Sequence, residues 1–177
     1  MKTKTPFLIL LFYSLALTGC GYTVSGSTLP KSLKTVYVKE FVNKIDFATE
    51  TRRRLYLPLL ERDVRSAVVD RYLFDGNLRI GAEESADLIL SGELLEYDRD
   101  ALRYTDNDEV QEYRVQVIVS IKLFNTQTKE YMWEESSFAG EADYFVSGTS
   151  AGTEEATVKE AINDLARRIV ERTIEDW

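Results

Sequence analysis

Gln111-Glu112-Tyr113-Arg114-Val115-Gln116-Val117-Ile118-Val119-Ser120-Ile121-Lys122-Leu123-Phe124 carries the clearest alternation in the chain. Tyr113, Val115, Val117, Val119, Ile121 and Leu123 fall on one face. Arg114, Gln116, Ser120 and Lys122 fall on the other. Successive side chains of a strand point to opposite faces, so a period of two sustained over this stretch predicts a half-buried antiparallel strand. One face of the resulting sheet is strongly apolar and needs a second layer to cover it.

The neighbouring segments extend the sheet. Upstream, Ala86–Tyr97 predicts a second long strand, with Leu88, Leu90 and Leu94 on one face and Ile89, Leu95 and Tyr97 on the other. Gly92 marks either a bulge or a close backbone approach. Between the two strands, polar Asp98–Glu109 reads as the extended tip of a hairpin. Downstream, Asn125–Lys129 reads as a turn. Glu130–Tyr144 follows as a strand, with Tyr131 and Trp133 on one face and Met132 and Phe138 on the other. Near the start of the chain, Leu33–Lys39 is a strand with Val36 and Val38 opposite Thr35 and Tyr37. Phe41-Val42-Asn43 leads out of it, and Leu78-Arg79-Ile80 is a short strand.

Two segments supply the covering layer. Residues 51–72 place Leu57, Leu60, Val64, Ala67 and Val68 at helical spacing, with Pro58 opening the regular part and Asp75-Gly76-Asn77 stopping it. Glu154–Ile174 is the second helix, with Val158, Ala161, Ile162, Leu165 and Ile169 as its stripe. Glu154 and Glu155 sit where the helix dipole favours negative charge; Arg167, Arg168 and Arg172 lie near the end where positive charge is favoured. Ser147–Thr153 is a loop. The order is strand, helix, short strand, three-strand meander, helix, and the first strand–helix–strand unit predicts a right-handed crossover. The expected fold is a two-layer α+β sandwich, with both helices on one face of a mainly antiparallel four-stranded sheet.

The N-terminus carries a different signal. Lys2 and Lys4 precede an apolar run from Pro6 to Leu17. At about 12 residues, that run suits a signal peptide and is short of the roughly 18 that a membrane span needs. It ends in Leu17-Thr18-Gly19-Cys20, a large apolar residue, two small residues and the only cysteine of the chain. This is the bacterial lipobox: the small residues let the extended backbone enter the signal peptidase, and the thiol accepts a diacylglycerol. Residues 1–19 are therefore expected to be a signal peptide, 20–32 a lipidated N-terminus and tether, and 33–177 a single α+β domain. Two or three acyl chains on Cys20 are sufficient as an anchor, since each buried methylene contributes about 0.8 kcal/mol. Gly21, where an Asp would signal inner-membrane retention, points to the outer membrane.

Composition narrows the function. The 177-residue chain holds no histidine, which removes the commonest general base and metal ligand. Removing the signal takes away Lys2 and Lys4 and leaves 20 basic against 30 acidic residues. That balance opposes nucleic-acid binding and broad attachment to anionic lipid. Asp106-Asn107-Asp108 lacks the glycine and bidentate glutamate of a calcium loop. No phosphate-cradling glycine motif or nucleophile elbow is present. The chain reads as a non-enzyme, with no metal and no cofactor beyond the diacylglycerol and N-acyl chain on Cys20. The basic groups that stand out are Arg52–Arg54, Lys122, Lys129, and Arg99 with Arg103 at the hairpin tip. The last two flank apolar Ala101-Leu102, a combination that suits an anionic amphiphile.

An ordered set of short segments extends along the mature chain: Cys20-Gly21-Tyr22, Leu29-Pro30, Lys34-Thr35-Val36-Tyr37-Val38, Phe41-Val42-Asn43, Asp75-Gly76-Asn77-Leu78, Ala86-Asp87-Leu88-Ile89-Leu90-Ser91-Gly92, Glu112-Tyr113, Glu155-Ala156, Ala161-Ile162 and Leu165-Ala166. With the lipobox before them, these segments resemble the LptE family of lipopolysaccharide-assembly lipoproteins. The resemblance implies two helices on a four-stranded sheet. It also implies a partner, the outer-membrane β-barrel LptD whose lumen the lipoprotein plugs, and direct contact with lipopolysaccharide. Family members carry a basic residue in the hairpin shortly before the Glu-Tyr pair. Arg103 occupies that place, with Arg99 as a second cation, so the resemblance implies that these two contact the lipid. The chain departs from the family near the last helix, where a Ser/Gly/Thr loop offers no second basic contact. The competing class is a structural or regulatory envelope lipoprotein that binds a periplasmic enzyme or peptidoglycan. Such proteins usually have a longer tether; about a dozen residues span at most ~40 Å here and keep the body near its membrane.

Overall fold

The computed structural model describes residues 29–45 and 59–175. The signal, Cys20, Leu57 and the Arg52–Arg54 run lie outside the described residues. The elements are β1 (Thr35–Val38), β2 (Val42–Asn43), α1 (Leu60–Asp75), β3 (Arg79–Ile80), β4 (Leu88–Tyr104), β5 (Val110–Asn125), β6 (Glu130–Phe145) and α2 (Glu154–Ile174).

Helices on one sheet are as expected, but the expected sheet of four mainly antiparallel strands needs correction. The sheet is mixed and six-stranded, in the order β3-β1-β4-β5-β6, with β2 also pairing along β4. β1 is parallel to both β3 and β4, β2 is parallel to β4, and only the β4–β5 and β5–β6 ladders are antiparallel. The miscount has a physical cause. β2 is two residues long, too short to show a period, and pairing alone makes it a strand, whereas β3 is the expected short strand at 78–80 and adds an edge beside β1. β1 and β2 are two pieces of one interrupted strand: β1 pairs Leu88–Leu90 of β4, and β2 pairs Glu93 and Leu94. Between them Phe41 lays its ring over Gly92, where a Cβ would meet the ring at 2.2 Å. Gly92 therefore marks the close backbone approach.

The bulge lies three residues further on. The β4–β5 register slips between Leu94 and Glu96, and this slip turns Tyr97 to the core, where it is 1% exposed. Tyr97 thus joins Leu94 on the helix side, because a bulge reverses every side chain beyond it. Slips on β6 revise that strand in the same way. Leu123 pairs Trp133 while Phe124 pairs Tyr131, so Tyr131 leaves the Trp133 face and meets Phe124 edge-on at 5.3 Å on the outer side. Phe138 pairs Val119, which puts it on the core side with Trp133.

The hairpin also differs from expectation. The ladder continues to Tyr104 and Val110, so only Thr105–Glu109 forms the turn, and Arg99 and Arg103 are strand residues. Ladder hydrogen bonds satisfy this polar backbone whatever the side chains are.

The alternating face of β5 is the centre of the core, with Val115, Val117, Val119, Ile121 and Leu123 all fully buried. α1 contributes Leu60, Val64, Val68 and Tyr72. It stops at Gly76, whose φ of 78° is the left-handed conformation that closes helices. α2 has the predicted limits and buries Val158, Ala161, Ile162, Leu165 and Ile169. Gly140 lets α2 lie directly on β6, since a Cβ there would meet the Ala161 carbonyl at 2.3 Å. The Tyr72 and Thr173 hydroxyls hydrogen-bond at 2.8 Å and join the C-terminal ends of the two helices. No helix among the described residues is long and apolar enough to cross a membrane.

Candidate functional site

The helix layer ends where the hairpin continues. Beyond Tyr97 on β4 and before Val115 on β5, none of residues 98–114 is buried. The projecting ribbon is built from the ends of β4, β5 and β6, and it carries the two arginines singled out in the sequence.

Arg99 and Arg103 occupy different environments. Arg99 pairs Val115 in the ladder and lies at the margin of the helix side. Its guanidinium ion-pairs with Glu154, the first residue of α2, and sits 4.9 Å from the Tyr113 ring centroid. Tyr97 donates its hydroxyl to the same carboxylate at 2.7 Å. Burial first, and the Glu154 hydrogen bond second, hold the Tyr97 phenol well above its usual range. Burial pulls Arg99 down, but Glu154 and Tyr144 together outweigh it and leave Arg99 above its ordinary value. Each partner of the Arg99–Glu154 pair is about a quarter exposed (26% and 24%), so separating them leaves a partly desolvated charge unpaired. Arg99 thereby clamps β4 to the N-terminus of α2.

Arg103 is 61% exposed. Its Nη2 lies 3.4 Å from Glu112 Oε2, and its guanidinium lies 5.8 Å from the Phe145 ring centroid. Arg103 itself is open to solvent, but Glu112 is only 12% exposed, so an anion bound by Arg103 must be shared with Glu112, because taking Arg103 away would leave a largely buried carboxylate unpaired. Exposed Leu102, Tyr104 and Val146 belong to the same end. Tyr113 and Tyr144 stack at 5.6 Å beneath it. The same end of the ribbon therefore carries one exposed cation and several exposed apolar groups.

The sequence reading missed the partners. Glu154, Tyr113, Tyr144, Phe145 and Val146 gather here through cross-strand register and the loop before α2, and no spacing in the sequence reports that. Asp98 and Asp100 give the ribbon acidic character, and burial, with Asp100 next, raises the Asp98 carboxyl. Arg114 forms a forked pair with Asp143 at 2.8 and 2.9 Å, which lowers the Asp143 carboxyl. Lys122 and Lys129 lie elsewhere: Lys122 pairs Glu134 at 2.9 Å on the sheet, and Lys129 closes the β5–β6 turn with a φ of 62°. Among the described residues, no group of three or more Cys, Asp or Glu could hold a metal ion.

Fold and hairpin together define a class, the α+β sandwich of two helices on one mixed sheet. A Xanthomonas campestris protein shares it at 11% identity and a TM-score of 0.56, covering 83% of this chain and 87% of that one. Lipoprotein B from Nitrosomonas europaea shares it at 14% identity and a TM-score of 0.51, covering 86% of this chain and 92% of that one. Identities this low establish the fold alone. No curated protein sequence matches significantly. The family model LptE, lipopolysaccharide-assembly, matches residues 33–173. The chain belongs to the LptE family.

Proposed function

We propose that this protein is an outer-membrane lipoprotein that plugs an LptD-like β-barrel and helps insert lipopolysaccharide into the outer leaflet. Leu17-Thr18-Gly19 directs cleavage before Cys20, and the acylated Cys20 holds the body at the periplasmic side or within the barrel lumen. Family membership supports the lipopolysaccharide role. The single structural observation that carries the site is the exposed Arg103, with Leu102 and Tyr104 beside it, on a ribbon that projects past the helix layer.

The chemistry is recognition and not catalysis. Lipopolysaccharide presents phosphates and acyl chains together. Arg103 can form a forked, charge-assisted pair with a phosphate, while Leu102, Tyr104 and Val146 cover apolar surface. Arg99 holds the strand that carries Arg103 against α2, its own charge met by Glu154.

Two measurements test this reading. A C-terminally tagged protein, gently solubilised from the outer membrane, is expected to retain a large β-barrel at near one-to-one ratio by mass spectrometry. A cell-wall enzyme in its place, or no partner, would overturn the barrel assignment. Arg103→Glu is expected to weaken lipopolysaccharide binding roughly tenfold while leaving the circular dichroism spectrum unchanged, since one forked charged contact is worth about 1.5–3 kcal/mol. Full binding by the folded variant would remove Arg103 from the site.

A further inference from the structure

Arg103 belongs to the face of the sheet that the helices leave uncovered. Its ladder partner is Glu112, and Glu112 pairs Phe145 on β6, so the three form one row across that face. The next row is Asp100, Arg114 and Asp143, and the one after it is Asp98, Gln116 and Glu141. On β5, Arg114 and Gln116 alternate with Val115 and Val117, which point into the core. Glu96, opposite Ile118, continues the same outer face. Rows follow one another at roughly 7 Å along the strands, within the screening length of about 8 Å in physiological salt, so each row feels the charge of the next. β4 runs from Leu88, beside Val36, out to Tyr104, roughly 50 Å away, which puts the Arg103 row at the pole far from the tether root.

This face is short of positive charge. Six carboxylates, those of Glu96, Asp98, Asp100, Glu112, Glu141 and Asp143, stand on it with two guanidinium groups, those of Arg103 and Arg114. Arg114 is engaged: Asp143 takes a forked pair at 2.8 and 2.9 Å, and Glu141 lies 3.7 Å from Nη1. Arg103 is shared with the largely buried Glu112. Burial, then Asp100, raises the Asp98 carboxyl, as expected where carboxylates crowd. A bare phosphate at Arg103 therefore meets an excess of like charge one and two rows away. A phosphate that carries its own ammonium group is attracted at both ends.

We infer that the Arg103 face takes a zwitterionic headgroup, a phosphate esterified to an amine-bearing group, in preference to a bare phosphate. The inference deepens the lipopolysaccharide reading of this site and rests on it. Arg103 holds the phosphate without leaving Glu112, and the Phe145 ring, 5.8 Å from the guanidinium, closes the side of the row. The ammonium group lies one row nearer the body, towards Asp98, Asp100 and Glu141, and supplies positive charge where the face lacks it. Selectivity thus comes from the whole mixed-charge face, with Arg103 as its single open cation. Amine-capped lipopolysaccharide and phosphatidylethanolamine both offer this chemistry.

The test uses the full mature chain in neutral detergent at physiological ionic strength. Two probes are compared: lipopolysaccharide whose phosphates are esterified to an amino sugar, and the same lipopolysaccharide with bare phosphates. The capped form is expected to bind about tenfold more tightly, the effect of one added charge-assisted contact. Asp98→Asn combined with Asp100→Asn keeps the side-chain shapes and should cut that preference to about twofold or less. Glu141→Gln, at a side chain 42% exposed, should lower the preference in the same direction and serves if the double variant fails to fold. Equal binding of the two forms, or tighter binding of the bare form, would overturn the inference and leave the lipopolysaccharide reading intact. An undiminished preference in the folded variants would overturn it too, since the discrimination would then lie elsewhere. Binding of neither form would remove the lipopolysaccharide reading. Phosphatidylethanolamine against phosphatidylglycerol micelles then decides: a preference for the former upholds the phosphate–amine chemistry with a phospholipid as its source, and equal or absent binding overturns both.

Discussion

Asp87 stands just before β4, and its carboxylate holds three segments together. Oδ2 accepts from the Lys34 amide at 2.9 Å, the Thr35 amide at 3.1 Å and the Thr35 hydroxyl at 2.8 Å. Oδ1 accepts from Gln127 Nε2 at 2.9 Å. The Lys34 amide first, then the Thr35 hydroxyl, lower this carboxyl below its ordinary 3.8. A carboxyl lowered in the folded state stabilises above its unfolded value, and the contribution is lost as pH falls through the folded value. Asp87→Asn is therefore expected to lose about 1 kcal/mol at pH 7, the charge-assisted figure reduced for partial exposure. The gap from the parent should narrow below about pH 4. Urea unfolding at both pH values measures it. An equal gap in acid would mean that the shape of Asp87, and not its charge, is what counts.

At the scale of the element, α2 is held at three places along the sheet. Thr153 caps it through the Ala156 amide at 3.3 Å, and Glu154 ties that end to Tyr97 and Arg99 on β4. Near the middle, Gly140 brings β6 against Ala161 and Leu165. Arg168 donates to the Ala139 carbonyl, and the Glu141 amide donates to Asp164 Oδ2 at 3.2 Å. α2 thereby blocks part of the exposed edge of β6, a protection against pairing with other chains. Gly140→Ala must push backbone against backbone, because the Cβ would lie 2.3 Å from the Ala161 carbonyl and 2.5 Å from the Leu165 amide nitrogen. A loss of about 3 kcal/mol is expected, the upper part of the range for overpacking. Thermal unfolding reads it, and a near-neutral change would mean that α2 can slide on the sheet. The stripe of α2 was legible in the sequence because helical period and end charges agree along it. Gly140 was not, since its importance lies in what faces it across the layer.

The whole molecule has two poles, with the tether root at one and the Arg103 ribbon at the other. The ribbon contributes no buried residue between positions 98 and 114. Joining Ala101 to Tyr113 through an Asn-Gly turn should therefore leave the fold intact while abolishing lipopolysaccharide binding. The Ala101–Tyr113 pair marks where the ladder can be closed, and Asn-Gly favours a two-residue hairpin. Far-UV circular dichroism and a lipid-binding assay separate the two effects. A shortened protein that still bound lipid would move the site to the body.

The sequence by itself determined the strands and helices long enough to repeat a period: the core face of β5, the limits of α2, the stripe of α1 and the stop at Gly76. Its order of segments also carried the LptE resemblance that the family match established. Each of these is written in local spacing, where burial of one face imposes the pattern. Tertiary structure decided the two-residue β2, the mixed pairing and the face of each residue beyond a bulge. Tyr97 and Tyr131 both changed sides, because one extra residue reverses a two-residue period and shows only against the partner strand. It also separated Arg99 from Arg103. In sequence they are two cations four residues apart; in the fold one meets the charge that begins α2 and the other meets solvent.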